Sequence, residues 1–276
     1  MRGLFLASAC VCILAVGVIC AFLFANGLPF FTKYSAIDFL TGTTWAPLRD
    51  VFGILPMIVG SFLVTFGALL LGAPIGILTA ILMARFAGKG IVKIMKPAVA
   101  LLAGIPSIVY GFFGLMLLVP LVRVNFGGTG KSVLVASVLL SIMILPTIIQ
   151  TSEAALNAVP NSYYEGSLAL GATHESSVFR TILPAARPGI ISGVVLAIGR
   201  AIGETTAIIM VAGNNARMPV DLLKGVRTLT VNVLMEMGYA ADLHAESLIA
   251  TGVVLFVIIM AINFLFSFFN RRRVQQ

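Results

Sequence analysis

The sequence predicts an all-α integral membrane protein with six transmembrane helices, and three observations carry the prediction. Of 276 residues, 59% are hydrophobic and only 10% are charged, whereas a soluble domain carries about 25% charged residues. Mean hydropathy is +1.08. Six stretches meet or approach the roughly 20 apolar residues needed to cross a hydrocarbon core of about 30 Å as a helix. None alternates as a membrane β-barrel strand does, and lipid gives free backbone no partner.

The first stretch, Leu4 to Ala25, is 22 residues of continuous apolar chain after Arg2. Ala7-Ser8-Ala9 resembles a small-residue cleavage site, but the run before it is too short for a signal peptide, so the segment is read as an uncleaved first span. Cys10, Cys12 and Cys20 lie inside it without CxxC spacing and are read as packing residues. The first span and an outer loop occupy residues 1–57. A core over 58–269 then carries the remaining helices at about 58–83, 97–122, 133–149, 189–212 and 247–269, followed by a basic tail at 270–276. Pro74, Pro106 and Pro146 fall inside spans two, three and four, where they serve either bending or static packing. Pro106 with Ser107 is the best hinge candidate, because a break there frees backbone groups beside a hydroxyl.

Lys and Arg near span ends are retained in the cytoplasm. Placing both termini inside puts ten there: Arg2, Arg85, Lys89, Lys93, Lys96, Arg180, Arg187, Arg271, Arg272 and Arg273. Seven fall outside: Lys33, Arg49, Arg123, Lys131, Arg217, Lys224 and Arg227. Both termini are therefore expected in the cytoplasm. The net charge of +8 is explained by this topology and by anionic lipid. No basic stripe with interleaved aromatics points to nucleic acid.

Three matches to chemical motifs are set aside. Gly127-Gly128-Thr129-Gly130-Lys131-Ser132 ends like a phosphate-binding loop, but the full pattern requires glycine where Asn125 stands and a preceding buried strand. It reads as a Gly-rich turn between spans. His174 and His244 fall on opposite membrane faces and have no Cys or His at ligand spacing, so no metal site is expected. Glu153-Ala154-Ala155 echoes the motif described next but lacks its glycine.

Residues 165–184, EGSLALGATHESSVFRTILP, form a polar island between apolar segments. After Pro160 and Asn161, Ser162-Tyr163-Tyr164-Glu165 has the spacing of a capping box that starts a helix, and Gly171 can end it in a left-handed cap. Tyr164 and Leu168 share one side of that helix at i, i+4, a surface suited to a protein groove. A second short helix, Glu175 to Ile182, is expected to stop before Pro184. In the fifth span, Arg200 and Glu204 are the ionisable residues well inside a helix core, each costing roughly 2.5 to 3.5 kcal/mol on insertion scales. Four residues apart, they would lie on one helix face and neutralise each other. Two readings stand: a structural ion pair, or a pathway site where the Arg200 guanidinium meets an oxyanion, Glu204 holds it in place, and Thr205 and Thr206 add hydroxyls.

The island resembles the hallmark loop of the membrane permeases of ABC importers, EAA, three residues, Gly, nine residues, then I-x-L-P. Glu165, Gly171, Leu183 and Pro184 keep that spacing; Gly166, Ser167 and Thr181 depart from it. Further stretches are similar to phosphate importer permeases of the PstC type. They are Phe52 to Pro56 with Trp45 and Pro47 upstream, Gly104 to Gly111, and Gly199 to Thr206 continuing to Gly213-Asn214. The resemblance implies a type I ABC importer permease fold and half of a translocation pathway for inorganic phosphate. It also implies a coupling loop at 160–184 that seats in a separate ATPase through Tyr164, Glu165, Leu168, Gly171, Leu183 and Pro184. It implies that this chain is not an enzyme and binds no cofactor, ATP being used by the partner. The partners would be a second permease (PstA-like), two ATPase subunits (PstB-like) and an external phosphate binder (PstS-like), in a prokaryotic plasma membrane. Two alternatives remain: a sulfate or molybdate permease, in which an aromatic residue follows Gly-Glu where this chain has Thr205, and a non-transporting docking protein.

Overall fold

A computed structural model describes residues 2–274; of the tail expected at 270–276, the last two residues lie outside them, as do the side chains of Arg2, Arg271, Arg272 and Arg273. Among the described residues, six helical segments are long and apolar enough to cross a membrane: Gly3–Lys33, Leu55–Phe86, Ser107–Phe126, Val133–Asn157, His174–Gly203 and Asp242–Phe266. The first span is helix α1 (Arg2–Gly27), which leads into the short α2 (Phe30–Lys33) and α3 (Ala36–Thr41). A two-residue antiparallel pair, β1 (Trp45–Ala46) with β2 (Val51–Phe52), follows, closing on Asp50 at φ 53°. The second span, α4 (Leu55–Ile81), ends in a turn of π-helix, Leu82–Phe86.

The third span is not continuous. Helix α5 (Lys89–Gly104) stops at Ile105 and Pro106, and the chain re-enters helix as α6 (Ser107–Phe113), a π-turn (Gly114–Leu118) and α7 (Val119–Phe126). Proline disfavours helical dihedrals in the residue before it, and Ile105 is extended at φ −69° and ψ 126°. Helix α8 (Val133–Asn157) runs two turns past the expected end and passes through Pro146, as α4 passes through Pro74. Neither proline breaks its helix. Its first amides are covered from outside: Val133 and Leu134 donate to the carbonyls of Lys224 and Leu222 at 3.1 and 2.9 Å, and the Ser132 hydroxyl accepts from Val135. Gly127, Gly128 and Gly130, all at positive φ, make the turn leading into α8.

Helix α9 (Asn161–Ala169) is the first half of the island, and α10 (His174–Ser177), a π-turn (Val178–Ile182) and α11 (Leu183–Gly203) follow without interruption. The expected stop before Pro184 is therefore wrong. The Leu183 amide bonds five residues back to the Val178 carbonyl, so the π-turn widens the helix where the proline lacks its own amide. The expected fifth span to Ala212 is interrupted at Glu204 and Thr205, after which α12 (Thr206–Val211) begins. Helix α13 (Leu229–Glu236) and the long α14 (Asp242–Val274) complete the chain.

Helix α8 is the centre of the bundle, flanked by α4 and α11. Both neighbours approach through glycine: a Cβ at Gly76 would stand 2.8 Å from Ile148 Cγ2, one at Gly189 would stand 2.5 Å from Ala155 Cβ, and one at Gly193 would collide with Thr151 Oγ1. Without a hydrophobic drive between helices in lipid, such close backbone packing is the main source of association. Helix α1 lies outside this core on α14, joined by Gly27 against Val253 and by Phe24 edge-on to Phe256. Phe30, Phe39, Phe52 and Ile54 form a separate buried aromatic and aliphatic cluster. Beside it, Glu236 accepts from Arg227 at 2.6 Å and Trp45 Nε1 at 2.8 Å and bonds His244 Nε2 at 2.9 Å. Arg227 also donates to the carbonyl of Asn214 at 3.1 Å, fixing the Gly213-Asn214 turn that follows α12.

Replacing Gly76 by leucine forces Ile148 aside, and the expected cost is ~1 to 3 kcal/mol. Thermal unfolding in detergent should show a lowered midpoint, while Gly17→Ala, which meets open space, should leave it unchanged. Glu236→Leu strands the mostly buried Arg227 guanidinium and is expected to cost about 3 to 5 kcal/mol in the same measurement.

Candidate functional site

Two sites emerge along one stretch of chain. The first lies where the two interrupted spans meet. Helix α6 packs on α12 so closely that a Cβ at Gly111 would stand 3.0 Å from the Ala207 Cα. The backbone groups released by each break find local partners. Across the Ile105-Pro106 break, the Tyr110 hydroxyl donates to the Leu102 carbonyl at 2.9 Å. At the other, the Thr230 hydroxyl donates to the Glu204 carbonyl at 3.2 Å. This re-satisfaction is what makes a discontinuous helix tolerable in a membrane.

The expected pairing of Arg200 with Glu204 does not form. Glu204 sits beyond the end of α11 with extended dihedrals, φ −71° and ψ 127°, so the i, i+4 geometry of a continuous helix is lost. Its carboxylate turns the other way and accepts from the Ala207 amide at 3.1 Å, placing a negative charge at the start of α12. Glu204 is thus a helix cap, not a holder of Arg200. Arg200 is exposed on the last turn of α11 and donates to Thr147 Oγ1 on α8 at 3.3 Å. Thr205 donates to the Gly203 carbonyl at 3.2 Å, and Thr206 opens α12; both are half-buried. Arg200 and Thr147 therefore come together near the broken end of α11. Thr147 was missed because it is uncharged and lies in no motif, the proline before it being the one available signal; Tyr110 lies within the Gly104 to Gly111 stretch but was given no role there.

The second site is the island. The expected capping box is absent: Pro160, extended at ψ 138°, precedes the first helical residue, so Ser162 is already inside the first turn and no side chain caps it. The C-terminal end forms as expected. Gly171 takes φ 85°, its amide bonds to the Leu168 carbonyl at 2.9 Å, and the Ala172 amide bonds to Ser167 at 3.2 Å, the paired bonds of a Schellman cap.

Tyr164 and Leu168 do not form one exposed face. Tyr164 is turned inward, its hydroxyl 2.8 Å from His174 Nδ1, and its ring packs against the buried cluster of Ala80, Ile81, Leu156, Val178 and Ile182. Glu165, Leu168 and Leu170 are exposed, Leu170 at 91%. Leu183 and Pro184 lie within the continuous helix rather than at its end. The echo at Glu153 is a mostly buried carboxylate paired with Lys96 at 2.8 Å.

The chain matches the family model described as binding-protein-dependent transport system inner membrane component over residues 72–275. The probable ABC transporter permease protein YqgH of Bacillus subtilis is 38% identical, covering 99% of this chain and 91% of that one. The phosphate transport system permease protein PstC of Mesorhizobium japonicum is 33% identical over 91% of this chain and 83% of its own. Among solved structures, a bacterial alginate ABC transporter in complex with alginate pentasaccharide-bound periplasmic protein superposes with a TM-score of 0.63. It does so at 16% identity, over 98% of this chain and 96% of that one. This likeness extends to the fold, that of the type I ABC importer permeases. The chain is a multi-pass membrane protein and belongs to the family of inner membrane permease components of binding-protein-dependent ABC transport systems.

Proposed function

We propose that this chain forms half of the translocation pathway of an ATP-driven inorganic phosphate importer, with Arg200 as the group that meets the anion. The observation that carries the reading is that Arg200 stands beside the break at Glu204 with no carboxylate partner among the described residues. A guanidinium held by a single hydroxyl, Thr147 at 3.3 Å, keeps most of its donors free for an oxyanion, which it matches bidentately. The similarity to a phosphate permease over nine-tenths of the chain supports the choice of anion. Thr205 and Thr206 stand at the same break and supply hydroxyls to the path. Ile105, Pro106 and Ser107 supply the point about which the third span bends.

In this reading both termini are cytoplasmic, α9 faces the cytoplasm, and the loops at 26–57 and 213–246 receive the external binder. Glu165, Leu168, Leu170 and the Gly171 cap form the surface that seats in an ATPase. A second permease completes the path, and ATP is hydrolysed by the partner. No covalent step and no cofactor belongs to this chain. Sulfate and molybdate are the competing anions, since both are tetrahedral and meet a guanidinium in the same way.

Uptake of inorganic phosphate by the assembled complex in proteoliposomes should fall at least about tenfold in Arg200→Ala, as expected for losing a charge-assisted contact. Glu204→Gln keeps an oxygen for the Ala207 amide but loses the charge at the start of α12, and should lower thermal stability by only about 0.3 to 1 kcal/mol. Normal phosphate uptake in Arg200→Ala, or uptake blocked by sulfate as strongly as by phosphate, would overturn the assignment. Gly171→Val places a β-branched residue at positive φ, costing ~1 to 2 kcal/mol. Less ATPase should then co-purify with the chain, and undiminished recovery would exclude α9 as the seat.

A further inference from the structure

The inward face of α9 is wired to two spans by a chain of polar contacts. The Tyr164 hydroxyl is 2.8 Å from His174 Nδ1, and His174 Nε2 is 3.1 Å from the Arg85 carbonyl oxygen. A carbonyl only accepts, so Nε2 carries the proton, Nδ1 is left as an acceptor, and the tyrosine hydroxyl donates to it. The imidazole is thereby held in one tautomer and one orientation. The Arg85 carbonyl belongs to the π-turn Leu82–Phe86 that ends α4, where helical partners run out. The Arg85 side chain continues the chain, donating from Nη2 to the Leu156 carbonyl near the end of α8 at 2.6 Å. Phe86 closes over the imidazole edge-on, with ring centroids 4.8 Å apart.

Two features separate this arrangement from ordinary packing. The apolar cluster around Tyr164 already holds α9 against α4, α8 and α11, so static attachment does not require the polar chain. The joint also contains two π-turns, Leu82–Phe86 and Val178–Ile182, one on each side of His174. Such turns are places where helical winding is already offset, and they recur at functional sites. In addition, Arg85 Nε is buried without an acceptor. A donor left over in this arrangement marks a joint whose bonding improves when the helix ends shift.

We propose that Tyr164, His174 and Arg85 form a rigid linkage that passes displacement of α9 directly to the cytoplasmic ends of α4 and α8. They are positioning residues for energy coupling and do not touch the transported anion. The proposal rests on the reading of this chain as an ATP-coupled phosphate permease.

The test uses the whole complex in proteoliposomes, measuring phosphate moved per ATP hydrolysed together with the amount of ATPase retained. Tyr164→Phe removes one hydroxyl. His174→Phe keeps a ring in place but removes both the acceptor for Tyr164 and the donor for the Arg85 carbonyl. Each should lower the ratio by roughly two- to tenfold, the worth of one net hydrogen bond. The double variant should be no worse than either, because both cut one chain. An unchanged ratio overturns the linkage, as does loss of the ATPase from the complex, which would make these docking residues. If the wild-type complex moves no phosphate, the phosphate reading fails by itself and basal ATP hydrolysis decides on the linkage. A rise in both variants then supports it, and equality with wild type overturns it.

Discussion

A backbone amide or carbonyl inside a bilayer has no water to turn to, and this constraint governs where the chain leaves helical geometry. Six spans could have been six uninterrupted helices. Two are broken, at Ile105-Pro106 and at Glu204-Thr205, and each break is supported by a side chain that takes over a released group. Tyr110 reaches back to Leu102, Thr230 to the Glu204 carbonyl, and the Glu204 carboxylate to the Ala207 amide. Without these bonds the breaks would leave groups that cost several kcal/mol each in hydrocarbon. Because the bonds exist, irregular backbone sits beside Arg200, which has no carboxylate partner among the described residues.

The same economy of partners explains the start of α8. The start of α8 is covered by the loop that returns from α12, and that loop is fixed by Arg227, Glu236 and the turn at Gly213-Asn214. A structural consequence follows for the Gly-rich run at 127–132. Its glycines take positive φ to bring α7 around to α8, and Ser132 spends its hydroxyl on capping that helix. The run's residues are accounted for by the turn they build.

Much of this was legible from composition and pattern. Six spans, the Gly171 cap and the break at Pro106 follow from apolar length, from glycine at a helix end, and from proline inside a hydrophobic run. What could not be read were contacts set by tertiary neighbours. Arg200 and Glu204 have the spacing of an ion pair, but that spacing presumes a helix that ends between them. Ser162 and Glu165 have the spacing of a capping box, but Pro160 starts the helix earlier. Pro184 has the signature of a stop, but a π-turn absorbs the missing amide. His174 was dismissed as a metal ligand for lack of partners; its partners are a tyrosine hydroxyl and a carbonyl, which no ligand spacing would reveal.

That π-turn has a mechanical meaning. Because Pro184 does not interrupt it, the segment His174–Gly203 is a single rod, with the imidazole at one end and Arg200 near the other. Arg200 lies 26 positions after His174, a span of about 39 Å at roughly 1.5 Å per residue. A rod of that length acts as a lever: pivoting its His174 end by about 10° would sweep the Arg200 level sideways by roughly 7 Å, estimated from the same helical rise. Had the proline broken the helix, the two ends could have moved independently, and the level of Arg200 would not have felt the loop.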